Sequence, residues 1–226
     1  MPISKPTKTS IINAALATLG QEPIVSLDDE TSAQSSVKMM LSKFDIAYRE
    51  FLASHDWNCA RKYVRLNQLS ECNNKGWKYC FALPTTPEIM RISQISVNEG
   101  DLYYDTNAYY NSYSGGQATY YDIAGGYLYS NYAPIYISYI GLIDPAELDP
   151  LVAAAFSYML ASELAYAIPA SVTLADYLYQ IYRKKLRAAK SADALSRNTP
   201  KYDGDVIRAR RGFGGPEVVV DHSDEV

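Results

Sequence analysis

The side chains with the chemistry for metal binding or nucleophilic catalysis gather in one stretch, His55, Cys59, Cys72 and Cys80, spaced H-x3-C-x12-C-x7-C. A structural zinc site uses a close CxxC or HxxxH pair to set tetrahedral geometry, and no cysteine pair here has that spacing. His55 and Cys59 would share one helix end, yet a nucleophilic pair also needs a third group to orient the base, and nothing nearby supplies it. His222 sits in the acidic run 221–225 and reads as a solvated side chain. Carboxylates for glycoside hydrolysis stand about 5 to 9.5 Å apart in a cleft, and the candidates are Asp28, Asp29, Glu30 and Glu163. The first three suit a turn ahead of a helix, where negative charge meets the positive end of the dipole. Glu163, on an almost wholly apolar helix, needs an ion-pair partner or a subunit contact, because an unpaired buried charge is prohibitive. Gly115-Gly116, Gly125-Gly126 and the run 212–215 lack the strand-to-helix setting and the Lys-Ser/Thr of a phosphate loop. The sequence therefore predicts no catalytic, metal-binding or cofactor-binding residue.

Two clusters suit binding instead. Arg208, Arg210 and Arg211, followed by Phe213, have the charge and the ring to grip a phosphate backbone. They suit an acidic groove on a partner protein equally well, and a net charge of −4 with a pI near 5.2 favours the protein. Tyrosine is the second cluster: 21 residues against 5 Phe and 2 Trp, with 12 of them between Tyr103 and Tyr139. Tyrosine supplies rigid amphipathic contact area, so such a sheet suits carbohydrate or a covering neighbour. Tyr109, Tyr110 and Tyr113 fall in NAYYNSYSGG, whose turn formers predict a protruding loop.

The elements that must position these groups follow from periodicity. Helices are expected at 9–19 and 31–55, the second opened by a Thr31/Gln34 capping box, and the two should pair as an antiparallel hairpin. Short β-branched or alternating runs at 63–66, 77–83, 90–97, 102–105, 117–121, 127–129 and 135–139 predict an antiparallel sheet. A second helical pair covers 151–167 and 173–195. The first of these is apolar nearly all round and opens at Asp149-Pro150; the second carries Arg183, Lys184, Lys185, Arg187 and Lys190 outward. The fold class is α+β: an antiparallel bundle of about four helices from 1–60 and 144–196, an inserted Tyr-rich antiparallel sheet over 61–143, and an extended arm over 197–226. The arm has five basic residues before Gly212 and four acidic ones after it, too little apolar surface to fold alone. Three cysteines and no apolar leader at the start predict a chain made and kept in a reducing cytoplasm. The apolar segment 151–168 carries Glu163, whose charge costs roughly 2.5 to 3.5 kcal/mol within a membrane span, so a helix buried in protein is expected.

Four stretches carry a family likeness: IINAALATLGQEPIVSL (11–27), SHDWNCARKYVRL (54–66), YCFALPTTPEIMRI (79–92) and DPLVAAAFSYMLASELAYAIPASVTLADYLYQIYRKKLRAAKSADA (149–194). In this order they resemble the tail tubular protein A family, the ring-forming head-to-tail adaptors of short-tailed bacteriophages. The resemblance implies a non-enzymatic virion subunit, made in the host cytoplasm, with twelve copies in a ring between the portal protein and a tail nozzle or tubular protein B. It implies an arm reaching the portal or an adjacent subunit, which residues 197–226 match in character but not in motif; Arg208, Arg210, Arg211 and Phe213 are the contacts expected there from charge and ring, and Tyr109, Tyr110 and Tyr113 are left to face the tail or a fibre. DNA would pass through the ring unbound, since phosphate binding grows with each neutralised charge. Two other readings stay open: a carbohydrate-binding tail component using the Tyr103 to Tyr139 region, and a virion-borne peptidoglycan hydrolase using Glu163 or Glu30 as acid.

Overall fold

A computed structural model describes residues 5–24, 35–70, 76–99 and 121–196. Asp28 to Glu30, the Thr31/Gln34 box, Cys72, the strand expected at 102–105, the loop with Tyr109, Tyr110 and Tyr113, His222 and the whole arm lie outside the described residues.

The chain is α+β. Helix α1 (Lys8–Thr18) begins at a reciprocal capping box in which Thr7 and Ser10 each accept from the other's backbone N–H, and Gly20 follows its end at φ 69°. The Asn13 side chain then brackets the exit loop, accepting from Ile24 N–H at 2.8 Å and donating to Ile24 C=O at 2.9 Å. Helix α2 (Ser35–Ala53) buries Val37, Met40, Phe44, Ala47, Tyr48, Phe51 and Leu52. After the sheets, helix α3 (Pro150–Leu164) starts with proline in its first turn, although the Asp149 side chain makes no cap bond. Helix α4 (Val172–Leu195) is capped by Ser171, whose hydroxyl accepts from Leu174 N–H at 3.2 Å. Among the described residues no helix is long and apolar enough to cross a membrane.

The expected pairing of α1 with α2 is corrected. Both pack chiefly on α3, which also takes the most extensive contact with α4. The reason is physical: α3 is apolar on every side, so each amphipathic helix gains more by covering it than by covering the other. Phe156 of α3 sits at the centre, completely buried, with the rings of Phe44, Tyr48 and Phe51 at 5.2 to 5.3 Å.

The single expected sheet resolves into two antiparallel ones. Strands β1 (Arg61–Arg65), β7 (Tyr136–Gly141) and β4 (Ile89–Ser96) form one, in the order β1-β7-β4. Strands β2 (Asn67–Gln68), β3 (Tyr79–Ala82), β6 (Tyr127–Ser130) and β5 (Tyr121–Ala124) form the other, in the order β2-β3-β6-β5. Gly125 and Gly126, both at positive φ, make the two-residue turn between β5 and β6. Strand β7 separates two cores by its alternation. Ile137 and Tyr139 join Leu66, Phe81, Leu128 and Ile135 between the sheets, while Ile140 joins the helical core. The result is three layers: helices, the three-stranded sheet, and the four-stranded sheet.

Truncating the central ring tests this arrangement. Phe156→Ala should lower unfolding free energy by about 3–5 kcal/mol, read by urea denaturation, and a loss below about 1 kcal/mol would remove α3 from the centre of the core.

Candidate functional site

The polar groups concentrate where α2 hands over to β1. Helix α2 stops as Ser54 Oγ donates to Phe51 C=O at 2.7 Å, and Trp57, completely buried, stacks on Phe51 and donates Nε1–H to the same carbonyl at 3.2 Å. Between them, Asp56 faces the three-stranded sheet. Its carboxylate accepts from Arg91 and from Ser93 Oγ of β4, both at 2.5 Å, with the Arg61 guanidinium of β1 at 4.0 Å. Arg61 also donates to the Asp56 carbonyl at 3.1 Å. Burial alone would raise the Asp56 pKa; the bonds from Ser93 and Arg91 and the two guanidinium charges outweigh it and hold the carboxyl below its ordinary value. Two cations share one acid here, and Nε of Arg61 and of Arg91 is buried without a hydrogen-bond acceptor among the described residues.

One residue further on, a second clamp reaches the far end of the chain. Asn58 N–H donates to the Asp193 carboxylate of α4 at 2.9 Å, and Asn58 Nδ2 donates to Asp193 C=O at 2.6 Å and to Ser196 Oγ at 2.8 Å. Asp193 is buried, its side chain 3% exposed, and burial pushes its pKa up against the opposing pull of the Asn58 N–H. His55 lies edge-on to Trp57, with Nε2 3.8 Å from Asp193. Burial and the Lys190 charge push its pKa down, so the imidazole is neutral near pH 7.

Chemically, this junction fastens elements. Cys59 is a half-buried free thiol whose pKa burial raises, which keeps it protonated and weakly nucleophilic near neutrality. The expectation of three reduced thiols is corrected at Cys80, which is buried in β3 and disulfide-bonded. Three cysteines leave one thiol unpaired but do not forbid a bridge. Among the described residues no three His, Cys, Asp or Glu side chains are grouped to hold a metal ion.

Glu163 is the one predicted site residue among those described; the expectation there is an ion pair or a subunit contact, and no ion pair forms within the described residues. It is exposed near the C-terminal end of α3, where Tyr166 beyond it is also exposed, and it makes no salt bridge among the described residues. Flanking protein and the Glu50 charge of α2 raise its pKa, and Lys43 opposes them. The helix is apolar enough to be central, and Ala161, Leu164 and Ala165 of its last turn are buried; Glu163 lies on the one side left open. On α4, Arg183, Lys184, Lys185 and Arg187 are exposed as expected, and Lys190 is half-buried. Tyr121 and Tyr127 stand exposed on β5 and β6.

Sequence inspection missed Asp56, Asn58, Arg61, Arg91 and Asp193. For Asp193 a signal existed: it continues the inward spacing of Leu178, Tyr182, Leu186 and Ala189, where only a paired acid is tolerated. Replacing it by alanine leaves the Asn58 N–H without its acceptor and should cost about 1–3 kcal/mol of stability, measured by chemical denaturation; no change would mean the clamp is dispensable.

His55 sets a pH response. Its folded pKa lies below the ordinary 6.5, so the unfolded chain binds the proton more tightly. The stabilising contribution is complete above pH 6.5 and is lost as pH falls from there through the lower folded value. Melting temperature measured from pH 7.5 to 5 should fall in the wild type and fall less in His55→Gln; parallel curves would assign the loss to other groups.

No protein-family model matches the chain, and no curated protein matches it in sequence.

Proposed function

We propose that this chain is a structural subunit of a bacteriophage virion, a head-to-tail adaptor that assembles into a ring between the portal protein and the tail nozzle. One observation carries the reading: the four stretches that resemble the adaptor family coincide with the framework of a single packed body. Residues 11–27 include most of α1 and its Asn13-braced exit. Residues 54–66 hold both polar clamps and β1, 79–92 run from β3 into β4, and 149–194 hold α3 and nearly all of α4. A likeness confined to packing is what a subunit with no reaction to perform would carry.

The outer surfaces support the same reading. The polar groups at the junction are occupied in fastening helix to sheet, while Ile46 of α2 and Tyr177 of α4 stand 67% and 63% exposed, and Tyr166, in the turn after α3, 69%. Large apolar groups grouped with charges on an outer face suit contact with neighbours. On this reading the chain is made in the host cytoplasm and resides at the head-tail interface, with twelve copies per ring and DNA passing through the channel.

Size-exclusion chromatography with light scattering, on the purified chain alone and mixed with the portal protein of the same phage, tests the assignment. A species of about twelve times the 25.2 kDa chain mass, alone or on portal, is expected. A chain that stays monomeric in both conditions overturns it. Peptidoglycan cleavage that disappears in Glu163→Gln would replace it by the hydrolase reading.

A further inference from the structure

Strand β3 lies inside the four-stranded sheet, yet its two edges are covered unequally. On one side β6 pairs with the whole of it, from Tyr79 to Ala82. On the other, β2 is two residues long, pairs with Phe81 and Ala82, and leaves both of its own side chains exposed. A hydrogen bond from Leu69 N–H to the Cys80 carbonyl, at 2.9 Å, extends that contact by one residue. As the outermost strand of the sheet, β2 is too short for its backbone bonds to hold it firmly. Cys80 stands at this margin, 1% exposed and disulfide-bonded.

We propose that Cys80 is bridged to Cys72, and that the bridge is a redox-sensitive clip holding β2 on the edge of β3. The pairing does not depend on the adaptor reading. Cys80 is too buried to meet a cysteine of another copy, and Cys59 is a free thiol, which leaves Cys72 of the chain's 3 cysteines. Cys72 lies outside the described residues, but it follows Leu69 by a stretch of chain that reaches at most about 10 Å, and Leu69 is bonded to Cys80. Closing the loop 72–80 limits how far Leu69 can part from β3. With the loop open, the short β2 ladder alone covers that edge, and the β3 backbone becomes available to a strand of another chain. Closure is thiol–disulfide exchange with a small-molecule disulfide such as oxidised glutathione. One protein thiolate attacks it and releases one small thiol; the second attacks the mixed disulfide and releases the other. Two protein thiols thus give up two protons and two electrons, and one small disulfide becomes two small thiols. A reducing compartment keeps the clip open, and an oxidising one closes it.

Peptide mapping of the full chain, purified without reductant, alkylated and digested with trypsin, tests the pairing. Peptides 66–75 and 79–91 should be found linked, with Cys59 alkylated in peptide 50–61. A chain whose cysteines are all alkylated, or a link that includes 50–61, overturns it. Amide hydrogen exchange tests the clip. The Leu69 N–H should exchange about tenfold faster after reduction by a phosphine, and equally so in unreduced Cys72→Ser. The Leu142 N–H, bonded to Glu88 C=O at 2.8 Å beside the three-stranded sheet, should keep its protection. Reduction leaves the sequence unchanged, so its result stands even where Cys72→Ser fails to fold. Equal Leu69 exchange in the bridged and reduced chains overturns the clip. A loss of protection that reaches Leu142 to the same degree also overturns it, because the bridge would then stabilise the whole fold and not the edge.

Discussion

A helix of 15 residues whose sides are almost all apolar has to be covered from several directions, and that need organises the molecule. No single partner can enclose α3. Helices α1, α2 and α4 each lay their own apolar stripe on it, and the aromatic cluster around Phe156 fills the space where α2 crosses. The same demand explains why α1 and α2 do not form a self-contained hairpin. Each buries more by leaning on α3, and the Lys8–Asp45 ion pair at 2.9 Å is left to tie their outer edges. Surface ion pairs of that kind are worth about 1 kcal/mol or less, so packing decides the geometry and the pair follows it.

Covering α3 creates a second problem, because the chain must leave the helical layer, build two sheets and return in register. The segment from Asp56 to Arg61 solves it with two carboxylates used in opposite ways. Asp56 stays ionised because β4 and β1 surround it with donors and cations, which fastens the sheet to the end of α2. Asp193 is buried and spends its acceptors on the Asn58 backbone, which fastens the last turn of α4 to the same point. Excess positive charge from Arg91 and Lys190 accompanies burial in keeping His55 neutral. The neutral imidazole packs edge-on to Trp57 and leaves the Asp193 carboxylate to the Asn58 N–H.

Much of this was legible in the sequence because it follows local rules. The α3 composition, the Gly20 stop and the alternation of the runs that became β4 and β7 all signal their elements directly. What was not legible depends on which elements meet. Two sheets cannot be told from one by strand patterns, since alternation says which residues face a core and not which core. The spacing of His55 and Cys59 offered no third group to make them reactive, while the residues that do pair, Asn58 with Asp193, are far apart in the chain and ordinary in type. Glu163 misled for a related reason: the helix around it is apolar enough to imply burial, and Ala161 and Leu164 beside it are buried, but which side of the helix stays open is set by the neighbours and not by composition.

That difference between framework and surface bears on what the molecule can do. Where the fold needs charge it neutralises it locally, as at Asp56, Asp193 and the Arg49–Glu88 pair at 2.5 Å. The exposed charges Lys43, Glu50, Glu163, Lys184 and Arg187 make no salt bridge among the described residues, so no ion pair of theirs sets the geometry of the helical layer. Around Glu163 the surface holds both signs of charge: burial and Glu50 raise its pKa, and Lys43 of α2 lowers it, so the charges there are balanced by neighbours and not by a dedicated ion pair.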